Sequence, residues 1–169
     1  MPTADPITQV YTAIWAALNA WHGFTDLVRV HIDLTRPQYA SIEALLPTVR
    51  DADLPEITLL EGRYTLGPFG KTSRTAHVQQ EYRLVCATNT LQVIGINALK
   101  YNALVALLKT GDTLGLDSLV DDYFIRDGTD VTANQSTRPN VARGVDRFST
   151  LMSIDVSIHL DRSALLALT

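Results

Sequence analysis

The chain has one cysteine, no excess of positive charge and no long hydrophobic run. The lone Cys86 excludes an intrachain disulfide and a structural zinc site built on several thiolates. Fourteen basic against eighteen acidic residues give a net charge of -4, which does not attract nucleic acid or an anionic membrane. No apolar run approaches the ~20 residues that span a bilayer, and the first residues lack the basic start of a signal peptide. We therefore expect no membrane span, no export signal and no sequence-specific binding of nucleic acid.

Patterns that carry chemistry are also missing. Neither the phosphate-loop spacing nor GxGxxG occurs, and residues 67–72 (GPFGKT) are the nearest approach. The histidines never stand at the i, i+4 or HxH spacing that brings two ligands to one metal: His22, His31, His77 and His159. Cys86 shares an alternating apolar phase with Tyr82 and Leu84, which is typical of an inert core thiol. We expect no catalytic site, no cofactor and no metal.

One polar strand face leaves an enzymatic alternative open. Asp155, Ser157 and His159 alternate with apolar residues, so they lie together on one face of a predicted strand. A Ser/His/Asp site also needs oxyanion donors and an oriented base from elsewhere in the fold. A polar face that touches solvent or a partner is the simpler interpretation. A small hydrolase or transferase stays the alternative.

Apolar spacings of three and four residues predict two helices. Asp5 caps the first, Pro6 suits its first position, and Gly23 is expected to end it in a left-handed conformation. Its apolar stripe consists of Ile7, Val10, Tyr11, Ile14, Trp15, Leu18 and Trp21. The second helix is predicted within residues 91–109 and ends before Gly111. Its core stripe is Ile96, Leu99, Ala103, Leu104, Leu107 and Leu108.

Alternation of apolar and polar residues predicts the strands. A strand begins at Ile57 after Pro55, and residues 78–87 are expected to pair with it as a hairpin. Further strands are predicted near residues 120–126 and over 152–160, with a less marked one around 28–32. Residues 38–46 favour a helix. The expected buried core includes Trp15, Leu18, Leu84, Leu104, Leu107, Ile154 and Val156.

This order of elements predicts an α+β fold with a single domain over residues 1–169. A mostly antiparallel sheet of four or five strands is packed on one face by two main helices. The composition agrees, because 46% hydrophobic and 19% charged residues are ordinary for a globular protein of this length.

Two long connections remain for function. Residues 62–77 are predicted to form a projecting hairpin arm, longer than the usual hairpin loop of about two to five residues. Residues 127–147 have no hydrophobic period and are predicted to form a second loop. Both carry basic residues, and the first adds apolar anchors. We predict contacts with a neighbouring subunit or ring through Arg63, Tyr64, Leu66, Phe69, Lys71, Arg74, Arg138, Arg143 and Arg147.

The layout resembles the tail terminator family of long-tailed bacteriophages. The corresponding segments are residues 5–21, the DLPEI stretch at 53–57, 62–77, 96–109 and 148–160. The family's α+β subunits form a six-membered ring that caps the tail tube. The resemblance therefore implies a structural virion protein, made in the host cytoplasm and located at the head-proximal end of the tail.

Its implied partners are further copies of itself, the tail tube protein and a neck or connector protein. Two alternatives remain beside the hydrolase. One is another neck component, such as a stopper or tail completion protein. The other is a ligand-binding module that uses the groove between helix and sheet.

Overall fold

A computed structural model describes residues 5–22, 30–33, 56–67, 75–88, 93–127 and 148–161. Helix α1 spans Pro6–Ala20 and helix α2 spans Val93–Leu108. The strands are β1 (Val30–Asp33), β2 (Glu56–Leu66), β3 (Thr75–Thr88), β4 (Val120–Asp127) and β5 (Phe148–Asp161). Neither of these two helices has the length and apolar content to cross a membrane.

The strands form one sheet in the order β1-β2-β3-β5-β4. All neighbours pair antiparallel except β1, which runs parallel to β2. The predicted α+β fold, the hairpin of β2 with β3 and the long last strand are confirmed. The helix predicted over residues 38–46 lies outside the described residues.

Helix α1 begins as predicted but ends earlier. The Asp5 carboxylate caps it by accepting from the Thr8 amide at 3.0 Å. The helix ends at Ala20 rather than at Gly23, which lies outside the described residues, because Trp21 adopts an extended backbone with φ -99° and ψ 106°. The Trp21 indole donates to Asn102 Oδ1 at 3.1 Å. This contact with α2, which sequence spacing does not show, favours the early end.

Both helices pack on one face of the sheet, and three tyrosine hydroxyls form hydrogen bonds between the helices and the sheet. Tyr11 donates its hydroxyl to the Leu59 carbonyl, and Tyr82 donates to the Ile7 carbonyl of α1. Tyr123 on β4 donates to the carbonyl of Leu107 at 2.9 Å. The core between these layers contains every residue of the predicted core set except Leu104.

The core stripe predicted for α2 is wrong at two leucines, which are not fully buried. Leu104 is only partly buried, and Leu108 is 59% exposed. Successive residues of an α-helix are rotated by about 100°. Because Ala103 and Leu107 face the sheet, each following leucine is turned toward the flank of the helix.

The hairpin strands extend into the connection predicted over residues 62–77. Strand β2 continues to Leu66 and β3 begins at Thr75, which leaves a shorter connection. A bulge between Glu61 and Tyr64 changes the phase of β2. Glu61 and Tyr64 therefore lie on the same face although their numbers differ in parity. Because the bulge interrupts the simple alternation of apolar and polar residues, the sequence pattern does not show that β2 continues to Leu66.

Candidate functional site

Of the predicted interface residues, Arg63, Tyr64 and Leu66 lie within the described residues, on the outer half of β2. Tyr64 is 63% exposed and Leu66 is 56% exposed. They stand opposite Gln80 and Val78, so they share the helix-bearing face of the sheet but are not covered there. The others lie outside the described residues: Phe69, Lys71, Arg74, Arg138, Arg143 and Arg147.

Arg63 lies on the opposite face, beside a cluster of paired charges. Glu81 Oε2 accepts from the backbone amide of Arg63 at 3.4 Å and from the Arg83 guanidinium at 3.1 Å. Arg126 approaches the other Glu81 oxygen at 3.8 Å and forms a two-pronged hydrogen bond with Asp155. Only the backbone of Arg63 takes part in the hydrogen bonds of this cluster that the structure describes.

The cluster satisfies most of its own charges. Burial opposes ionisation of Glu81, but hydrogen bonds from Arg83 and from the Arg63 amide outweigh it and lower the pKa of that carboxyl. The hydrogen bonds with Asp155 raise the pKa of Arg126. A shallow cavity of about 320 Å³ lies over this cluster. Of this group, the sequence pointed only to Arg63 and Asp155 as functional candidates. The spacing of Glu81 and Arg83 on one strand face was the signal for an ion pair.

Three polar residues of β5 left the enzymatic alternative open. Each of them contacts a different partner. Asp155 binds Arg126, and Ser157 Oγ accepts from Gln79 at 2.7 Å. His159 Nδ1 lies 2.7 Å from a carboxylate oxygen of Asp121, without the geometry of a hydrogen bond. Within the described residues, no base is therefore hydrogen-bonded to the Ser157 hydroxyl.

The remaining candidates for chemistry have structural surroundings. Cys86 is fully buried, and burial raises the pKa of its thiol to about 12, so it stays protonated and unreactive near neutral pH. In the part of the chain that the structure describes, no three His, Cys, Asp or Glu side chains converge as metal ligands do.

A groove of about 400 Å³ opens at the other edge of the sheet, between α2 and strands β4 and β5. Ile125 and Met152 line it from the sheet, and Tyr101 and Leu104 line it from the helix. Tyr101 is 65% exposed. The sequence suggested a groove between helix and sheet but not its lining, because Ile125 and Met152 have the pattern of ordinary core residues of their strands.

Phe124 adds a third exposed aromatic side chain. It is 63% exposed on β4, on the face opposite the groove. Large exposed apolar side chains therefore stand at two places: Tyr64 and Leu66 on the outer half of β2, beyond its pairing with the edge strand β1, and Tyr101 and Phe124 near the β4 edge. Adjacent exposed apolar side chains, such as Tyr64 and Leu66, are typical of surfaces that contact other molecules.

No family model and no curated protein matches the chain. A cryo-EM structure of a sheath/tube terminator in the extended state, from an extracellular contractile injection system named PVC, is similar to it. The two sequences are 13% identical, with a TM-score of 0.48. The alignment covers 95% of this chain and 58% of that chain, so this chain spans less than two thirds of its length.

Proposed function

We propose that this chain is a structural tail protein, a terminator whose copies form a six-membered ring. The ring caps the tail tube and offers the surface on which the neck or connector docks. The observation that carries the proposal is the exposure of apolar side chains at two separate places, Tyr64 and Leu66 on the outer half of β2 and Tyr101 and Phe124 near the β4 edge. The order of helices and strands, which resembles the tail terminator family, supports it.

The position of these surfaces favours a ring. They lie far apart in the strand order, on β2 and near the β4 edge, so in this proposal one copy uses different patches toward its two neighbours. A contact between unlike patches is heterologous, and repeating it generates a closed ring when the rotation closes. Fully burying a side chain such as Leu66 contributes about 1.5–3 kcal/mol, and a ring repeats that gain at every interface.

This function requires no catalytic step, only complementary surfaces. The charge cluster around Glu81 satisfies most of its own charges through hydrogen bonds between its members. The predicted contacts of Phe69, Lys71, Arg74, Arg138, Arg143 and Arg147 remain part of the proposal. In this proposal they contact a neighbouring subunit or a neighbouring ring.

Native mass spectrometry of the purified chain, followed by electron microscopy with the tail tube protein, tests the proposal. We expect a closed ring of copies that binds one end of the tube and stops its growth. A chain that stays monomeric at every concentration, alone and with the tube protein, would refute it. A ring found nearer the portal than the last tube ring would instead indicate a stopper.

The groove beside α2 supports a second candidate, a ligand-binding module. Its size lies in the range of about 300–1,000 Å³ that is typical of small-molecule pockets, and its lining is mostly apolar. A thermal shift with a metabolite panel discriminates between the two, because a ligand that binds the native state raises its melting temperature. A ligand-responsive monomer would favour this candidate.

A further inference from the structure

We propose that the cavity over the charge cluster, on the sheet face opposite the helices, binds one carboxylate from an acidic side chain of a partner protein. Arg63 is the residue that holds this carboxylate. The inference rests on the proposed function for its partner, a neighbouring protein of the tail, and names the chemistry of that partner. The site itself consists of residues on β2, β3, β4 and β5 and stands apart from the exposed apolar side chains.

Two carboxylates form the centre of the charge cluster. Glu81 and Asp155 are direct neighbours on the paired strands β3 and β5. Like charges in such positions repel each other, so each carboxylate is stabilised by a cation of its own. Arg83 supplies that cation for Glu81, and Arg126 supplies it for Asp155. The charges of these two arginines are therefore used within the fold.

Arg63 carries the charge that this balance leaves over. Among the described residues that line the cavity, three guanidinium groups stand against two carboxylates. Only the backbone amide of Arg63 takes part in the described hydrogen bonds of the cluster. Glu61, the nearest acidic residue on the same strand, pairs with Tyr82 on the helix-bearing face because of the bulge. Asp122 does not line the cavity, and its carboxylate accepts from the Tyr123 amide.

The positive groups also lie nearer to solvent than the negative ones. The side chains of Glu81 and Asp155 are 16% and 27% exposed. Those of Arg83 and Arg126 are 42% and 62% exposed, and Arg63 is exposed as well. Gly62 lets Glu81 lie this deep, because a Cβ at Gly62 would stand 2.6 Å from Glu81 Oε2. A group that enters the cavity therefore meets guanidinium N–H donors first.

A carboxylate matches these donors in charge and in shape. The planar guanidinium offers parallel N–H groups to the two oxygens of a carboxylate, and such charged hydrogen bonds are stronger than neutral ones. Thr65, on the same strand face as Arg63, and Gln79 add neutral polar groups to the lining. The described part of the lining contains no apolar side chain, so the cavity does not suit an apolar ligand.

A protein is the source of the carboxylate that fits this cavity best. Nucleic acid is held by several phosphate contacts along a basic track, and one excess charge on a chain of net charge -4 does not form such a track. A small free anion would be only partly enclosed here, whereas small-molecule pockets bury most of their ligand. An acidic side chain presented by a partner needs no deep pocket, and arginine is enriched at contacts between proteins.

An NMR titration that follows the side-chain Nε–H signals of the arginines tests this site. The probe is the acetylated and amidated tripeptide Gly-Glu-Gly, and the matched probe is Gly-Gln-Gly, which has the same shape without the charge. We expect the Arg63 signal to shift with the first peptide and to stay in place with the second. Arg63→Gln should weaken the binding of Gly-Glu-Gly about threefold, within the range of one partly exposed ion pair.

Lys109→Gln is the matched control variant, because it removes one exposed positive charge at the end of α2, away from the cavity. It should bind Gly-Glu-Gly like the unmodified chain. Unchanged melting temperatures show that both variants are folded. Equal binding of the two peptides, no binding of either, or equal weakening in both variants would overturn the site.

Two further probes decide the source of the anion. Inorganic phosphate that binds more tightly than Gly-Glu-Gly would indicate a site for small oxyanions and overturn the protein source. A DNA duplex that binds the unmodified chain but not Arg63→Gln would overturn it as well. The outcome is separate from that of the ring: rings without peptide binding overturn this site alone, and peptide binding by a chain that never assembles overturns the ring alone.

Discussion

Leu107→Ala should strongly destabilise the protein, because Leu107 is fully buried where α2 meets the sheet. The change removes three carbon groups from the core. At about 0.8 kcal/mol per buried CH₂ this loses roughly 2.4 kcal/mol of transfer free energy. The cavity left behind adds to the loss, and the usual range for such truncations is about 2–5 kcal/mol. The Leu107 carbonyl keeps its hydrogen bond from Tyr123, because the substitution leaves the backbone in place.

Urea unfolding followed by tryptophan fluorescence measures this loss. The buried Trp15 and the half-buried Trp21 both report on the packing of α1. Leu108→Ala, one position further along the same helix, is the control. It removes an exposed side chain and should change the free energy of unfolding by less than about 0.5 kcal/mol. A Leu107→Ala loss below about 0.5 kcal/mol would show that this side of α2 is not core.

Three further changes test local features of the fold. Asp5→Ala should cost about 0.5–2 kcal/mol of the free energy of unfolding by removing the cap of α1. Hydrogen bonds from Thr8 lower the pKa of Asp5. The stabilisation from the ionised carboxylate is therefore complete above about pH 4 and is lost on acidification below that. Asp5→Asn, which caps without titrating, should remove that pH dependence from urea unfolding curves, and an unchanged curve would contradict the assignment. Tyr82→Phe should cost about 0.5–1.5 kcal/mol in the same assay, because its hydroxyl donates to the Ile7 carbonyl at 2.9 Å, and no loss would mean that water replaces the bond. Gly111→Ala should cost about 1–2 kcal/mol in calorimetry through backbone strain alone, since Gly111 has φ +77° and open space around it, and a neutral result would show that the turn relaxes.

Elements with a regular period were predictable from the sequence. The Asp5 cap follows from the residue types at the start of α1. In the stripe of α1 and the alternation of β5, the spacing of apolar residues alone predicts which side of the element is buried. The same alternation identified Cys86 as a core thiol, and the structure confirms its full burial. The strand over 120–126 and the helix ending before Gly111 followed from the same reasoning.

Irregular positions were decided by tertiary contacts. The bulge between Glu61 and Tyr64 changes which side of β2 faces the helices, so a period-two search stopped short of Leu66. The early end of α1 accompanies a contact between Trp21 and Asn102, which are far apart in the sequence. Neither feature leaves a local pattern.

The surfaces that matter most for function divide in the same way. Sequence composition alone pointed to Arg63, Tyr64 and Leu66, because apolar and basic residues in a predicted connection have no packing role there. Only the fold revealed which residues line the groove beside α2, since they come from a helix and two strands that are separated in the sequence. Local periodicity determines which side of an element is apolar. The arrangement of the elements decides which apolar side chains remain uncovered.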